Sequence, residues 1–487
     1  MGCLLGIDVG TTGTKSSLFT LDGNLIDLEY RSYPIFYPRE GWAEQKADDW
    51  WNALVETVNI IISRNNCSRD VLSMCVSTQG GSLVLLDDSF KPICNAVTWM
   101  DTRAGEISDK LTEEISVKEL YHLCGWPIVD GLNFPNIFWF REKRPGLFKK
   151  ARYFSSTVDY INQLLTGRFA IDYTNLSIDG FFDIKKRDFS ERVIGIAGIT
   201  KDNLAEIVPS GKTIGKITRK AANTLGLTGD VLVVSGAHDQ YCASIGAGAV
   251  EVGDCILSAG TAWVLLATCD NLYFNNEIDD SKGITRSVFP GLHPVEGKYG
   301  LMTSVPYGGN SLNWFRDIIR SDVSYMTLNE EAREVKAGSE NLLFFPLSSS
   351  RRGKGAFLGI EAIHTMKHFT RSVFEGVVFL NRIQLELIQR TGADVKRLIM
   401  IGGGSKSEVW PQIEADVCNI PLRIPEVKES ACAGAAILAG VGKGIFSSIE
   451  EASKRFIRFK EQIEPQKNNV EVYESLYRDF VDFFHFI

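Results

Sequence analysis

Asp8-Val9-Gly10-Thr11-Thr12-Gly13, with Lys15 two residues on, is the stretch of this chain best suited to hold an anion. Gly10 and Gly13 let the backbone take positive φ and let a ligand approach closely. Thr11, Thr12 and the turn amides can donate to an anion, as nests of backbone N–H groups do. Asp8 stands at the mouth, where a carboxylate could hold a metal-bound water beside a phosphate. Lys15 adds a point charge. The plain alternative is a hairpin whose turn needs glycine. The spacing fits neither G-x-G-x-x-G nor G-x-x-x-x-G-K-[ST], which excludes a Rossmann or Walker loop.

Four further groups have types suited to chemistry. Gln79, in Ser77-Thr78-Gln79-Gly80-Gly81-Ser82, carries a donor and an acceptor that suit hydroxyl recognition. Asp101 and Arg103 either line a polyhydroxyl site or pair with each other at a helix start. Asp239 follows the apolar run Val231–Val234 and precedes a helix, where the helix dipole favours an anion and where an N-cap would also sit. His238 beside it packs or bonds locally. Gly402-Gly403-Gly404, after the strand Leu398–Ile401 and before a helix from Glu408 to Cys418, allows close approach of a base, ribose or phosphate.

The elements that must position these groups follow from periodicity. Leu4 to Phe19 reads as a hairpin, and Asn24 to Tyr30 as a third strand. Ala47 to Ser63 has helical periodicity, with Trp50, Trp51, Leu54, Val58, Ile61 and Ile62 on one face. Val71 to Ser77 is a buried-type strand, Leu83 to Leu86 a shorter one. Helices are expected at 104–111, 133–143, 157–165, 241–246 and 363–391. Asp254 to Thr268 repeats the opening logic: a strand enters a Gly260-Thr261 turn and a strand returns. Two Gly-Thr hairpins half a chain apart imply two lobes of related build, each offering a turn to one cleft. The small-residue run Gly246 to Gly253 marks the boundary, giving lobes 1–246 and 247–487. Arg351-Arg352-Gly353-Lys354-Gly355 reads as a solvated basic turn.

Bulk properties narrow the class. A chain of 487 residues exceeds one core, so two large domains are expected. The net charge of −8, with no basic run, disfavours nucleic acid. No apolar run reaches membrane-spanning length and no secretory leader is visible, so a cytoplasmic protein without membrane contact is expected. The ten scattered cysteines, with no C-x-x-C, read as reduced thiols.

In order, LLGIDVGTTGTK, GWAEQKADDWW, TWMDTRA, VSGAHDQ, LSAGTAWV, GGNSLNWFRD and IGGGSKSEVW resemble the FGGY carbohydrate kinases, within the wider actin, Hsp70 and sugar-kinase superfamily. The resemblance covers nearly the whole chain. It implies an α/β fold of two ribonuclease H-like lobes around a cleft, sugar mainly on the first lobe and ATP on the second. It implies that Asp239 is the general base and that Asp8 and Asp239 help hold Mg²⁺. It implies phosphate contacts from Thr11, Thr12, Lys15, Gly260 and Thr261, and adenosine contacts from Gly309, Asn313, Gly403, Gly404 and Glu408. Gln79, Gly80, Asp101, Arg103, Asp239 and Gln240 would face the sugar. The implied partners are ATP and a small sugar or polyol, with a homodimer left open.

The acceptor expected first is a pentulose such as xylulose. Gln79-Gly80-Gly81 stands where xylulose kinases carry Met-His and glycerol kinases Arg-Glu, so gluconate, glycerol, erythritol and other polyols remain alternatives. A reading from another class is a non-catalytic protein that uses ATP to switch lobe angle. Asp239 beside a polyhydroxyl pocket favours the kinase.

Overall fold

The computed structural model describes residues 2–275, 287–305, 307–346 and 355–484. The opening hairpin forms as the alternation predicts. Strand β1 (Cys3–Val9) pairs antiparallel with β2 (Gly13–Thr20), placing Asp8 opposite Lys15. Strand β3 (Leu25–Ser32) follows, then helix α1 (Ala47–Asn65) and strand β4 (Val71–Thr78). Strands β5 (Thr213–Lys216) and β6 (Leu232–Val234) complete a sheet of order β3-β2-β1-β4-β6-β5. Between β4 and β5 lies a helical insertion that contains the predicted helix Asn133–Lys143. Val84–Leu86 forms as a strand but pairs with Tyr153–Ser155, outside this sheet.

The second lobe repeats the plan. Strands β7 (Asp254–Ala259), β8 (Trp263–Cys269), β9 (Phe289–Leu292), β10 (Tyr299–Val305), β11 (Arg397–Ile401), β12 (Leu422–Pro425) and β13 (Phe459–Ile463) lie in the order β9-β10-β8-β7-β11-β12-β13. Apart from β9, each strand has a counterpart of the same sense in the first sheet. Thus β1 runs parallel to β4 as β7 does to β11, and each has its antiparallel hairpin mate on the other side. The long helix of this lobe spans Met366–Arg390, inside the range its periodicity predicts. Residues 351–354 of the expected basic turn lie outside the described residues.

Helix α2 (Asp239–Ala247) leaves the first sheet, and helix α3 (Ser430–Gly442) belongs to the second half of the chain. The two cross between the sheets in one apolar core. Leu4, Phe19 and Val234 enter it from the first sheet, and Ile256, Leu266 and Ile399 from the second. Leu5, Ile7 and Val9 point the other way, into the core under α1. This period-2 alternation turns Leu4, Gly6 and Asp8 toward α3.

Glycines set the closeness of the crossing. A methyl on Gly246 would lie 1.9 Å from the Ser430 carbonyl oxygen, and one on Gly434 1.9 Å from that of Cys242. A methyl on Gly6 would meet the Cys432 carbonyl oxygen at the same distance. Gly434→Ala must therefore separate the helices. We expect it to destabilise the fold by about 1–3 kcal/mol, the usual cost of overpacking, read as a lower urea midpoint at unchanged slope. Gly195→Ala is the control: it lies in the helix Glu191–Ala197 with open space at the added methyl. It should leave the midpoint unchanged or raise it. Equal behaviour of the two variants would refute the close-packing argument.

Candidate active site

Two carboxylates converge where the hairpin of the first lobe meets the start of α2. Asp8 is held by β1, and its register opposite Ser77 of β4 lets the Ser77 hydroxyl donate to Asp8 Oδ1 at 3.0 Å. Burial, and then the nearby charge of Asp239, push the Asp8 carboxyl up to about 7, with Lys15 pulling the other way. Asp239 is the first residue of α2 rather than its cap, which is His238. Burial raises Asp239 to about 6, against hydrogen bonds from Gln240. Its Oδ1 is buried without a hydrogen-bond partner. The carboxyl thus sits above the ordinary carboxylate range near 3.9 and closer to the range in which a general base works. Gln240, next along, accepts from Ser258 Oγ at 2.9 Å. Ser258 precedes Gly260 by two residues, as Asp8 precedes Gly10. The start of α2 therefore touches the second hairpin at this position, and its Asp239 raises the matching Asp8 of the first.

The first-lobe wall is a continuous polar network. Gln79 Nε2 donates to Gln45 Oε1 at 3.1 Å, and Gln45 Nε2 donates to the Thr11 carbonyl at 2.7 Å. Gln79 Oε1 is left buried without a partner. Trp99 Nε1 donates to Thr11 Oγ1 at 2.9 Å, with the ring half exposed. Gly80 faces the His238 ring: a methyl there would lie 2.8 Å from His238 Cδ2.

Of the two alternatives for Asp101 and Arg103, the structure shows the mutual pair. Asp101 is fully buried and accepts from Arg103 Nε at 2.9 Å, Arg103 Nη2 at 2.8 Å and the Ala43 amide at 2.6 Å. Arg103 also bonds Glu44 and stacks 3.7 Å over Trp42. The pair braces the wall from behind. Gln45, which links Thr11 to Gln79, was not singled out by sequence reasoning, although it ends the GWAEQ stretch.

Lys15 projects from β2 to Glu429, just before α3, at 2.7 Å. Both side chains are about one-third exposed, 36% and 29%. Such a pair contributes about 0–1 kcal/mol, so the ammonium is not locked away from an arriving anion.

The second-lobe side opens into a cleft of about 450 Å³, within the range of small-molecule sites. Gly260, Thr261, Gly309, Asn313, Gly403 and Gly404 line it, as the sequence suggests. Gly309 N–H donates to the Gly260 carbonyl at 3.2 Å, and a methyl on Gly309 would fall 2.3 Å from that oxygen. Glu408 is not among the lining residues; it pairs with Arg333 at 3.1 Å, both largely exposed. Tyr325, Asn329, Phe374, Ser407 and Trp410 line the cleft and escaped sequence reasoning. Tyr325 and Asn329, four apart on the helix Tyr325–Glu334, share a face, which is the one signal that could have found them. Thr11 and Thr12 are not among the residues lining this cleft.

Two duplicated ribonuclease H-like lobes, each with a Gly-Thr hairpin and joined through the helix that Asp239 starts, define the class. The N-terminal domain of the FGGY family of carbohydrate kinases matches residues 3–246, and its C-terminal domain residues 257–442. The chain belongs to that family and is an ATP-dependent carbohydrate kinase. It is 30% identical over 490 residues to xylulose kinase of Lactococcus lactis, covering 98% of this chain and 95% of that protein. It is 29% identical over 468 residues to gluconokinase of Bacillus subtilis, covering 92% and 89%. The structure of xylulose kinase from Rhodospirillum rubrum superposes with a TM-score of 0.91 at 25% identity, covering 99% and 98%. Among the described residues no helix is long and apolar enough to cross a membrane.

Gly309→Val tests the cleft assignment. It should raise KM for ATP at least about tenfold, the scale of one steric misfit in a packed site, while KM for the phosphoryl acceptor moves less than twofold. Equal rises in both constants would mean general misfolding.

Proposed function

We propose that this kinase transfers the γ-phosphoryl group of Mg-ATP to a primary hydroxyl of a pentulose such as xylulose, with Asp239 as the general base. The observation that carries this reading is the buried, partnerless Oδ1 of Asp239 between the Gln79-Gly80 wall and the second hairpin. Phosphoryl transfer asks a protein mainly for positioning and charge neutralisation. Thr11, Thr12 and Lys15 from one hairpin and Gly260 and Thr261 from the other supply donors to the phosphates. Gly309, Asn313, Gly403 and Gly404 take the adenosine. Gln79 offers its amide to acceptor hydroxyls, and the Asp101–Arg103 pair braces the surface behind them. Asp239 takes the hydroxyl proton as the oxygen bonds to phosphorus. Closure of the lobes around α2 excludes water. The lobe division falls at 246/247, supported by the left-handed Gly248 that ends α2.

The carboxylates fit a hard divalent cation. Asp8 and Asp239 are partly buried oxygen donors, both raised by burial and Asp8 also by the charge of Asp239, which a hard cation would relieve. Mg²⁺ there would be held by Asp8 and Asp239, largely through water, and would neutralise phosphate charge. The similarity to gluconokinase of Bacillus subtilis supports gluconate as the second acceptor to assay.

Asp239→Asn should bind ATP with near-native affinity yet lose roughly 10²–10⁴ in kcat, the range of acid–base help. Retention of most of the activity would remove Asp239 from the role of base. The wild-type pH profile carries an independent check. A base whose carboxyl is raised to about 6, beside a partner raised to about 7, must lose its proton to work. Hence kcat/KM should be flat above pH 7 and fall toward tenfold per unit below about 6, at limiting Mg²⁺. An acid limb starting near pH 4 would contradict the buried placement. The acceptor itself is decided by ADP release measured across pentuloses, hexonates and polyols.

A further inference from the structure

His238 stands one residue before the proposed base and is used by none of the steps above. Its backbone is fixed on two sides. The His238 amide donates to Thr174 Oγ1 at 2.7 Å, and Thr174 Oγ1 donates to the buried Asp172 carboxylate. A β-bridge to Thr78 ties the same residue to the end of β4. Its ring occupies the space that glycine leaves at position 80, since any Cβ there would collide with His238 Cδ2. Gly80 and His238 thus form one fitted surface at the acceptor side of Asp239.

The ring's two nitrogens differ. Nδ1 is buried with no hydrogen-bond partner, while Nε2 lies 3.1 Å from Asp239 Oδ1. A buried N–H without a partner costs more than a bare acceptor lone pair. The favoured tautomer therefore carries its hydrogen on Nε2. Yet Asp239 Oδ1 has no hydrogen-bond partner despite that short distance, so the Nε2–H is not aligned on it. A donor and an acceptor lie side by side, and neither satisfies the other. A hydroxyl satisfies both at once, because it accepts with a lone pair and donates its own hydrogen.

We propose that His238 is a substrate-contacting residue that selects the acceptor: its Nε2–H donates to an acceptor hydroxyl whose own hydrogen points to Asp239 Oδ1. This rests on the kinase reading of the site given above. A neutral imidazole donor placed there distinguishes an acceptor with an oxygen at that point from its deoxy analogue, since loss of that oxygen leaves both protein groups unpaired. Sites built to bond a substrate hydroxyl discriminate strongly for this reason.

The test uses the full chain with ATP and the best acceptor of the panel, comparing wild type, His238→Leu and His238→Gln. His238→Leu should raise KM for the acceptor at least about tenfold and leave KM for ATP within about twofold, the scale of one lost polar contact. His238→Gln, which keeps an N–H donor, should recover at least half of that loss on a logarithmic scale. In ¹⁵N-imidazole spectra the wild-type His238 should show the Nε2–H tautomer and shift on adding acceptor without nucleotide. An acceptor KM unchanged in His238→Leu, a parallel rise for ATP, glutamine no better than leucine, or an Nδ1–H tautomer would each overturn the assignment while leaving the kinase reading intact. A wild-type protein that phosphorylates and binds no member of the panel overturns both.

Discussion

The molecule depends on how closely two short helices approach. At Gly246 and Gly434 backbone meets backbone with no room for a methyl, and Gly6 repeats the contact between the first sheet and α3. This closeness does two things. It seals an apolar core that draws on both sheets, so the lobes are joined by packing as well as by chain. It also holds the start of α2 near both hairpins, with Asp239 close enough to raise Asp8 and Gln240 bonded to Ser258. Loosening the crossing would therefore shift the Asp239 carboxyl as well as weaken the fold.

The same geometry creates an electrostatic imbalance. Alternation along β1 turns Asp8 inward with Leu4 and Gly6, and α2 brings Asp239 toward it. Burial raises both carboxyls, and the charge of Asp239 raises Asp8 further. Lys15, which lowers Asp8, reaches across to Glu429 of the other lobe in a one-third-exposed contact worth little. The fold thus leaves both carboxyls raised while the Lys15 ammonium is held only by a weak contact. A stable resting ion network in the same place would have left less for substrates to gain on binding.

The first-lobe wall shows how motif residues brace one another. Gln45 joins Thr11 to Gln79, and Trp42, Glu44 and Asp101 close around Arg103. The GWAEQ and MDTR stretches, far apart in the chain, form one braced surface. Asp101 reads as a hydroxyl ligand by residue type alone. Its burial, and the saturation of both its oxygens, make it the brace for Arg103 instead.

The sequence by itself determined the duplication, because Asp8-x-Gly10-Thr11 and Ser258-x-Gly260-Thr261 are local patterns whose strand alternation and turn chemistry act within a few residues. It also determined the helices Asn133–Lys143 and Met366–Arg390 to within a few residues, and glycines that line the second-lobe cleft. Only the tertiary structure decided that Asp239 starts α2 rather than capping it, that Asp101 and Arg103 pair, and that Glu408 faces Arg333 instead of the cleft. It also brought in Gln45, Tyr325 and Asn329. Those outcomes depend on which distant residues arrive beside a side chain and how much water they displace. Burial alone moved Asp239 from an ordinary carboxyl to one raised to about 6, and no spacing along the chain encodes the density of atoms around it.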